Sequence, residues 1–478
     1  MKIILIAVDT LRSDHLGCYG YPYETSPGID QLSEEGVLFE KHYSTDVPTP
    51  PAYTAILSGQ RGLHTGIFGF GHTNSSSAFG GTYIPATITT PSLVGDLAKA
   101  GYRTGMISNL LYPSPWLVQG FKDIAPPGLR FQAGTADEVT EEATGWLNKN
   151  YKKDFFLFVH YWDPHVNYFK RAPKKYQDMF FKKDYKKIAP LVEYLEKNRM
   201  VNEVYKAHSP GAYSNRYKPE EIVPAYDACI RYCNDGIEKL LNHLEKLKIK
   251  DDVFLIFTSD HGEAFGERGF FDHTSCYENI AHVPLIIRWP KHIPPGKRIK
   301  SYSLCTDLMP TILDFAQLPI PEGICGRNLK DTLLKGKDTP HQEVVTNTAG
   351  VLIQRMFIKD DWALVHTLDK SIYEYLNTYE LFDLSKDKAQ EKDLAKKEKD
   401  KFNEMRSALD RWLDKELKGQ PDLLQGIVFK GGGWWFSGIE NAFYKNPSLF
   451  FKNKRVKELI ISRLGEAAEK YFERRERK

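Results

Sequence analysis

The chain lacks several features that would mark a disulfide scaffold, a membrane protein or a nucleic-acid binder. Six cysteines among 478 residues are too few for a disulfide framework, and none forms a Cys-x-x-Cys pair. No apolar run approaches the roughly 18 residues of a membrane span. Lys and Arg total 65 against 62 Asp and Glu, so the overall charge gives no case for nucleic-acid binding. The 41% hydrophobic content predicts a folded protein with a sizeable core.

The N-terminal apolar run, residues 3–8, is too short for the hydrophobic region of a secretion signal and lacks a small-residue cleavage site. It predicts a buried strand that begins at once, and hence a cytoplasmic protein with reduced cysteines. Cys229 and Cys233 are four residues apart in a helical pattern and so share one face. We interpret them as buried free thiols, with a metal-binding pair as the alternative.

Short apolar runs alternate with amphipathic helical patterns between residues 3 and 288. This alternation predicts an α/β fold, in which helices flank a mostly parallel central sheet and ligands sit at the carboxyl ends of strands. The predicted strands are residues 3–8, 104–108, 155–160, 253–258 and 283–288. The predicted helices are residues 92–100, 136–147 and 225–247.

Later segments depart from this pattern and suggest further units. Residues 166–220 are aromatic and carry an excess of seven positive charges, which indicates an insertion, either a lid over the active face or a solvated surface excursion. The pattern of apolar and polar residues changes near Thr346. Residues 351–366 predict antiparallel strands, and residues 380–384 predict the start of a turn-and-helix unit. We therefore predict a catalytic α/β domain over 1–345 and a small α+β subdomain over 346–420.

Residues 421–478 form an aromatic and basic tail. It contains a glycine- and tryptophan-rich motif at 431–436 and a predicted amphipathic helix over 454–478. The tail could pack across a neighbouring subunit or rest on an anionic membrane surface. Because Trp434 and Trp435 are costly to leave exposed, we favour a homo-oligomer that forms through the tail.

Candidate metal ligands follow two of the predicted strands. Asp9 comes directly after the first strand, and Asp260 and His261 come after the strand at 253–258. Two carboxylates and one imidazole suit a divalent ion such as Mn²⁺, Zn²⁺ or Ca²⁺. The structural alternatives are an Asp9 that caps a turn and a His261 that is an ordinary loop residue.

A hydroxyl and two further histidines complete the candidate set. Thr49 precedes a predicted helix start at residues 52–57, where the positive end of the helix dipole would favour a nucleophile that also bound the metal. Thr49 could equally cap the helix. His165 follows the strand at 155–160, and His273 follows Asp260 by 13 residues. Each alone is typical of a loop histidine, but together with Asp260 they indicate an active site.

At this point the motifs resemble the sulfatase branch of the alkaline phosphatase superfamily, in order and spacing, over about residues 2–390. The segments that carry the resemblance are residues 8–21, 57–59, 163–165, 259–263, 277–286, 307–311, 326–329 and 380–384. The resemblance implies an alkaline-phosphatase-like fold, one divalent metal ion held by Asp9, Thr49, Asp260 and His261, and a small-molecule sulfate or phosphate ester as substrate.

Several positions depart from the family pattern. Thr49 stands where the family has a Cys or Ser that is converted to formylglycine, a conversion that threonine cannot undergo. Tyr53 stands at an Arg position, and Thr10 replaces the second Asp of an Asp-Asp pair, which favours Mn²⁺ or Zn²⁺ over Ca²⁺. Asn109 and His273 fall near two lysines that hold the anion in the family.

These departures imply Thr49 as the nucleophile of a phosphodiesterase or phosphonate monoester hydrolase rather than of a sulfatase. The resemblance further implies that Asn109, His165 and His273 contact the substrate, and that one of the two histidines acts in catalysis. One alternative is a two-metal phosphodiesterase whose second ion is held by Asp163, His165 and His273. Another is an inactive binding or scaffold member.

Overall fold

The fold is taken from a computed structural model of the chain. The structure describes residues 1–69, 91–128, 134–165, 168–183, 185, 203, 221–349, 352–425, 442–444, 446–451 and 454–476. Most of the 166–220 insertion and the whole 431–436 motif therefore lie outside the described residues.

The described residues form fifteen strands and thirteen α-helices. The strands are β1 Lys2–Val8, β2 Val37–Tyr43, β3 Asp46–Val47, β4 Arg103–Ile107, β5 Asp123–Ala125, β6 Phe155–Tyr161, β7 Val253–Thr258, β8 Ala264–Phe265, β9 Phe271–Asp272, β10 His282–Arg288, β11 Lys297–Leu304, β12 Glu343–Ala349, β13 Ile353–Lys359, β14 Trp362–Asp369 and β15 Tyr379–Asp383. The helices are α1 Pro27–Glu34, α2 Thr49–Ser58, α3 Gly62–Thr65, α4 Leu93–Lys99, α5 Ala136–Asn150, α6 Lys174–Phe180, α7 Ile222–Lys246, α8 Glu278–Ala281, α9 Leu308–Phe315, α10 Lys330–Lys335, α11 Lys399–Leu417, α12 Lys454–Leu464 and α13 Glu466–Glu476.

Eight strands form a mostly parallel central sheet in the order β11-β2-β10-β7-β1-β6-β4-β5. Only β10 runs antiparallel to its neighbours. The central strand β1 pairs in parallel with β6 on one side and β7 on the other. Because all three strands run in the same direction, their carboxyl ends lie at one edge of the sheet.

Helices cover both faces of this sheet, which explains why its inner strands are apolar on both sides. Ile4, Ile6 and Val8 of β1 join one buried cluster with side chains of α1, α5, α6 and α7. Ile3 and Leu5 point the opposite way and join a second cluster with side chains of α2, α4, α9 and α10. The predicted α/β fold is therefore confirmed, and all five predicted strands are present within a residue of their predicted bounds.

A second, five-stranded sheet has the order β15-β14-β13-β12-β3. Four of its strands come from the C-terminal part of the chain, but β3 comes from residues 46–47 and pairs in parallel with β12. The apolar face of α11 packs on this sheet through Met405, Leu409 and Trp412. The C-terminal unit is thus β-rich and linked to the segment that precedes Thr49, while the predicted boundary at 345/346 stays a prediction.

Two predictions for the C-terminal region are wrong. Residues 380–384 do not begin a turn-and-helix unit, because Tyr379–Asp383 forms the edge strand β15. The predicted single helix at 454–478 is two helices, α12 and α13, divided at Gly465, whose φ of 68° ends the first helix. The homo-oligomer predicted from this tail stays a prediction.

The described residues contain no helix with the length and apolar character needed to cross a membrane. All six cysteines are described, and all are free thiols, with Cys229 and Cys233 buried.

We expect Gly105→Ala to destabilise the fold and Gly145→Ala to spare it. A Cβ at Gly105 in β4 would lie 2.6 Å from Trp146, whose indole N–H donates to Asp123 at 2.8 Å and is thereby held in place. Such overpacking costs about 1–3 kcal/mol. A Cβ at Gly145, one residue from the same tryptophan, meets nothing within 4 Å, and alanine in a helix gains about 0.5–1 kcal/mol over glycine. Calorimetric melting of both variants measures the difference, and equal melting temperatures would contradict this packing.

Candidate active site

The predicted metal ligands meet at the carboxyl edge of the central sheet. Asp9 follows β1, Asp260 and His261 follow β7, and all three side chains are completely buried. One candidate ligand atom from each residue lies within 4.8 Å of the other two. The parallel pairing of β1 with β7, which sets Ala7 opposite Thr258, places residues 9 and 260 beside each other just beyond the strand ends.

Thr49 lies next to this group at the beginning of α2. Its hydroxyl Oγ1 is 3.1 Å from His261 Nε2, and the side chain is fully buried. The helix cap is Pro48, which makes no side-chain capping bond, so Thr49 is the first helical residue and not the cap. The hydroxyl therefore lies in the first turn of α2, where the helix dipole favours negative charge, although Pro48, Pro50 and Pro51 have no N–H to donate.

The orientation of His261 leaves one ring nitrogen facing the cluster. Its Nδ1 lies 2.9 Å from the carbonyl oxygen of Gly262, which can only accept, so Nδ1 carries the proton. Nε2 then presents a lone pair towards Thr49 and Asp260 Oδ2, the latter at 3.2 Å. Burial lowers the pKa of His261 well below its ordinary value, which keeps the ring in the neutral form that binds metals.

Gly262 permits this turn because the backbone passes very close to a neighbouring segment. A Cβ at Gly262 would lie 2.1 Å from the carbonyl oxygen of Asn279, closer than any side chain tolerates. The Gly262 N–H donates to the carbonyl of Ile280 at 2.7 Å and holds the two segments together. The glycine that follows His261 is therefore required by the geometry of the site.

The carboxylates of Asp9 and Asp260 are buried close together. Two negative charges in this position are unfavourable unless a divalent cation binds them. Burial and then the proximity of Asp260 raise the pKa of Asp9, and burial raises the pKa of Asp260 to about 6. Asp9 Oδ1 and Asp260 Oδ2 are buried and accept no hydrogen bond within the described structure. Two such oxygens beside the lone pair of His261 Nε2 form a donor set that fits a divalent cation.

Thr10 has an uncommon backbone conformation between the two carboxylates. Its φ of 55° places a β-branched residue in the left-handed region, which costs of order 1–3 kcal/mol. In return, its N–H donates to Asp260 Oδ1 at 3.2 Å, and its carbonyl accepts from the Tyr226 hydroxyl at 2.7 Å. The strained turn thus connects the end of β1 to Asp260 and to helix α7.

The residue that holds Asp9 was not predicted from the sequence. His160, inside β6, places Nε2 3.1 Å from Asp9 Oδ2, and its Nδ1 lies 2.9 Å from the hydroxyl of Ser108. Burial lowers the pKa of His160 well below its ordinary value, so the neutral ring donates to Asp9 and accepts from Ser108. A histidine within the otherwise apolar strand Phe155–Tyr161 was the available signal. Asn109, one residue after Ser108, is buried at the same edge of the sheet.

The two predicted substrate-binding histidines lie close to the cluster. The ring of His273 is 4.5 Å from that of His261 and 5.0 Å from that of His165, measured between centroids. Burial disfavours a charged His273, but Asp272 at 2.9 Å and Glu263 at 3.5 Å from Nδ1 outweigh it and raise its pKa well above the ordinary value. This shift favours the positively charged form of His273.

The carboxylate partners of His273 were not singled out from the sequence. Glu263 is completely buried, accepts a hydrogen bond from the Tyr168 hydroxyl at 2.7 Å, and has its pKa raised by burial to about 7. The structure groups Glu263 and Asp272 with His273 as possible metal ligands. Asp163 instead lies 3.7 Å from Arg171 and 3.7 Å from Cys233, and neither it nor His165 joins any such group among the described residues.

Carboxylates and an imidazole beside a helix-start hydroxyl, at the carboxyl edge of a mostly parallel sheet, are the groups that metal-dependent ester hydrolysis needs. The family described as Sulfatase matches residues 2–318, and the chain belongs to that family. A second match, described as N-sulphoglucosamine sulphohydrolase, C-terminal, covers residues 266–418.

Known proteins resemble this chain in sequence or in fold. An N-acetylglucosamine-6-O-sulfatase of Bacteroides thetaiotaomicron is 24% identical, over 90% of this chain and 89% of the relative. A protein solved in complex with its substrate D-glucosamine-2-N,6-O-disulfate is 21% identical, with a TM-score of 0.70 over 88% of this chain and 99% of its own. The phosphonate monoester hydrolase of Agrobacterium radiobacter is 18% identical, with a TM-score of 0.71 over 89% and 97%.

We expect Asp260→Asn to weaken divalent-metal binding by at least about tenfold, because even substitutions outside the ligand shell cost 10–100-fold. Metal content after dialysis against limiting Mn²⁺ measures the effect. Asp163→Asn is the matched control, since that buried carboxylate lies outside the ligand groups. Full metal content together with full activity in Asp260→Asn would place the site elsewhere, and loss of one ion in Asp163→Asn would favour the two-metal alternative.

Proposed function

We propose that the chain is a metal-dependent hydrolase in which Thr49 is the nucleophile, with a phosphodiester or phosphonate monoester preferred over a sulfate ester. The observation that carries the proposal is the 3.1 Å separation of Thr49 Oγ1 from His261 Nε2 inside the buried group that includes Asp9 and Asp260. A hydroxyl in that position is close enough to share a cation with three ligands of suitable chemistry.

Asp9, Asp260 and His261 would hold one divalent cation, with Thr49 as a fourth ligand. Two carboxylates, one imidazole and one hydroxyl suit Mn²⁺ or Zn²⁺ better than Ca²⁺, which takes more oxygen ligands. When bound, such a cation lowers the pKa of a coordinated hydroxyl and offsets negative charge on the group being transferred. Ser108 and His160 act by keeping Asp9 in place.

The residues around the cation would then divide the work of a two-step displacement. With a cation bound, Thr49 would lose its proton to solvent, and its Oγ1 would then attack phosphorus in line as the bond to the leaving oxygen breaks, with the dipole of α2 stabilising the negative charge. His273, charged beside Asp272 and Glu263, and Asn109 bind the non-bridging oxygens. His165 donates a proton to the leaving oxygen. Water then attacks phosphorus, releases Thr49 and returns a proton to His165.

Thr49 also supports the choice of phosphorus over sulfur. A formylglycine hydrate carries two oxygens on one carbon and can release its sulfate ester by elimination. Threonine has one hydroxyl on that carbon, so its ester must be cleaved by direct attack of water at the transferred group. We therefore propose that sulfate esters, if accepted at all, turn over more slowly than phosphodiesters or phosphonate monoesters.

Thr49→Ala should reduce kcat/KM by roughly 10³-fold or more, a rise of about 4 kcal/mol in the barrier, because the atom that bonds in the transition state is lost. Metal binding should weaken less, since three ligands remain. Thr49→Ser is the matched control because it keeps the hydroxyl. Activity of Thr49→Ala within about tenfold of wild type would mean that water attacks directly.

A panel of aryl substrates tests the substrate class. We expect the purified enzyme, supplied separately with Mn²⁺, Zn²⁺ and Ca²⁺, to give a higher kcat/KM with a phosphodiester or phosphonate monoester than with a sulfate ester or phosphate monoester sharing the same phenol. A common leaving group removes differences in its chemistry from the comparison. A sulfate ester as the best substrate would overturn the proposed preference.

A further inference from the structure

A separate group of metal-binding side chains lies where three distant parts of the chain meet. His64 belongs to the short helix α3, Cys325 to the loop after α9, and Glu416 to the C-terminal helix α11. One candidate ligand atom from each lies within 4.8 Å of the others. This group follows the end of α2, whereas Thr49 begins that ten-residue helix, so about 15 Å of helix separates it from the active site.

The contact between the thiol and the imidazole is as short as in a coordinated pair. Cys325 Sγ lies 3.2 Å from His64 Nδ1, the nitrogen that would bind the ion, whereas Glu416 Oε1 lies 3.8 Å from the other ring nitrogen, Nε2, and would turn towards the sulfur on binding. Burial raises the pKa of the Cys325 thiol to about 12; the charge of Arg61 lowers it, and the Glu416 carboxylate, which faces the thiol, raises it. In tetrahedral zinc, bonds of about 2.3 Å to sulfur and 2.0–2.1 Å to nitrogen put those two atoms roughly 3.5 Å apart.

A fourth donor is already oriented towards the thiol. Gln60 Oε1 lies 3.0 Å from Cys325 Sγ, and its amide orientation is fixed because Nε2 donates to the carbonyl of Gly323 at 3.1 Å. The loop itself is held by backbone bonds, since the N–H groups of Cys325 and Gly326 both donate to the carbonyl of Gly59, at 2.9 and 3.0 Å. The sulfur is therefore positioned by the fold and not by its contact with His64.

The group is reachable from solvent, unlike the active-site cluster. The side chains of His64 and Glu416 are 33% and 21% exposed. The positive charge of Arg61 would oppose the binding of a cation here, since its Nε lies 3.7 Å from Glu416 Oε1. Arg61 is also held by the carbonyl of Val345 at 2.8 Å and packs over the ring of Trp412, so its charge is partly engaged elsewhere.

We propose that Cys325, His64 and Glu416 bind one Zn²⁺ ion, with the amide oxygen of Gln60 as the fourth ligand. A thiol, an imidazole and a carboxylate form the mixed donor set that zinc prefers over Mg²⁺ or Ca²⁺. On binding, the thiol proton passes to water as the sulfur–zinc bond forms, and His64 coordinates as the neutral ring. The ion would tie α11 to the end of α2 and thereby fasten the C-terminal unit to the catalytic part of the chain.

Cobalt substitution tests the site because Co²⁺ bound to a thiolate gives a near-ultraviolet sulfur-to-metal charge-transfer band. We expect chelator-treated full-length protein to develop this band with Co²⁺, and Cys325→Ser to lose it. Cys18→Ser, which changes the other partly exposed cysteine, should keep it. Asp260→Asn should also keep it, which makes the test independent of the active-site metal. An equal band in wild type and Cys325→Ser would overturn the proposal.

Zinc content and thermal stability provide the second measurement. With the active-site metal binding weakened, Asp260→Asn should melt at a higher temperature with added Zn²⁺, whereas the double variant Asp260→Asn/Cys325→Ser should respond much less. Cys325→Ser should bind one zinc ion fewer than wild type, with affinity at this site lower by at least about 100-fold, and should keep its hydrolytic activity. Should Cys325→Ser fold poorly, Glu416→Gln serves in its place, and an unchanged zinc response in that variant would count against the site.

Discussion

The burial of two like-charged carboxylates at adjacent strand ends is the constraint on which the rest of the site depends. The pairing of β1 with β7 sets Asp9 and Asp260 side by side, completely out of solvent, and burial raises the pKa of both. Such a pair is unfavourable unless a cation or hydrogen bonds offset it. The strained Thr10, whose N–H reaches Asp260, and the Ser108–His160 pair behind Asp9 both serve this purpose.

The second sheet contributes to the same site from the other end of the chain. Strand β3, two residues before Thr49, pairs with β12, and the Thr346 hydroxyl donates to the carbonyl of Ser44 at 2.7 Å. The segment that leads into α2 is therefore fixed between the central sheet and the C-terminal sheet. The position of the Thr49 hydroxyl depends on both sheets, which gives the C-terminal unit a part in the active site although it supplies none of the ligands proposed there.

The sequence predicted those parts of the fold whose local pattern matches their environment. β1, β6 and β7 are buried on both faces and read as continuous apolar runs, and the acidic residues directly after them could be placed at one edge. β2 and β11 contain charged residues and were missed, because they lie towards the edge of the sheet. The roles of His160 and Glu263 depend on contacts across 151 and 95 residues, to Asp9 and Tyr168, which no local pattern records.

The charge of the substrate does not distinguish a sulfate ester from a phosphodiester at this site. A sulfate ester and a phosphodiester each carry one negative charge, so the cation and His273 would bind both in the same way. In the proposed mechanism the difference would arise after the first displacement, when the transferred group would be attached to Thr49. A sulfate ester of threonine needs water to attack sulfur in a buried cluster without the elimination route that a formylglycine hydrate offers. The identity of one side chain, and not the electrostatics around it, therefore carries the argument for a phosphorus substrate.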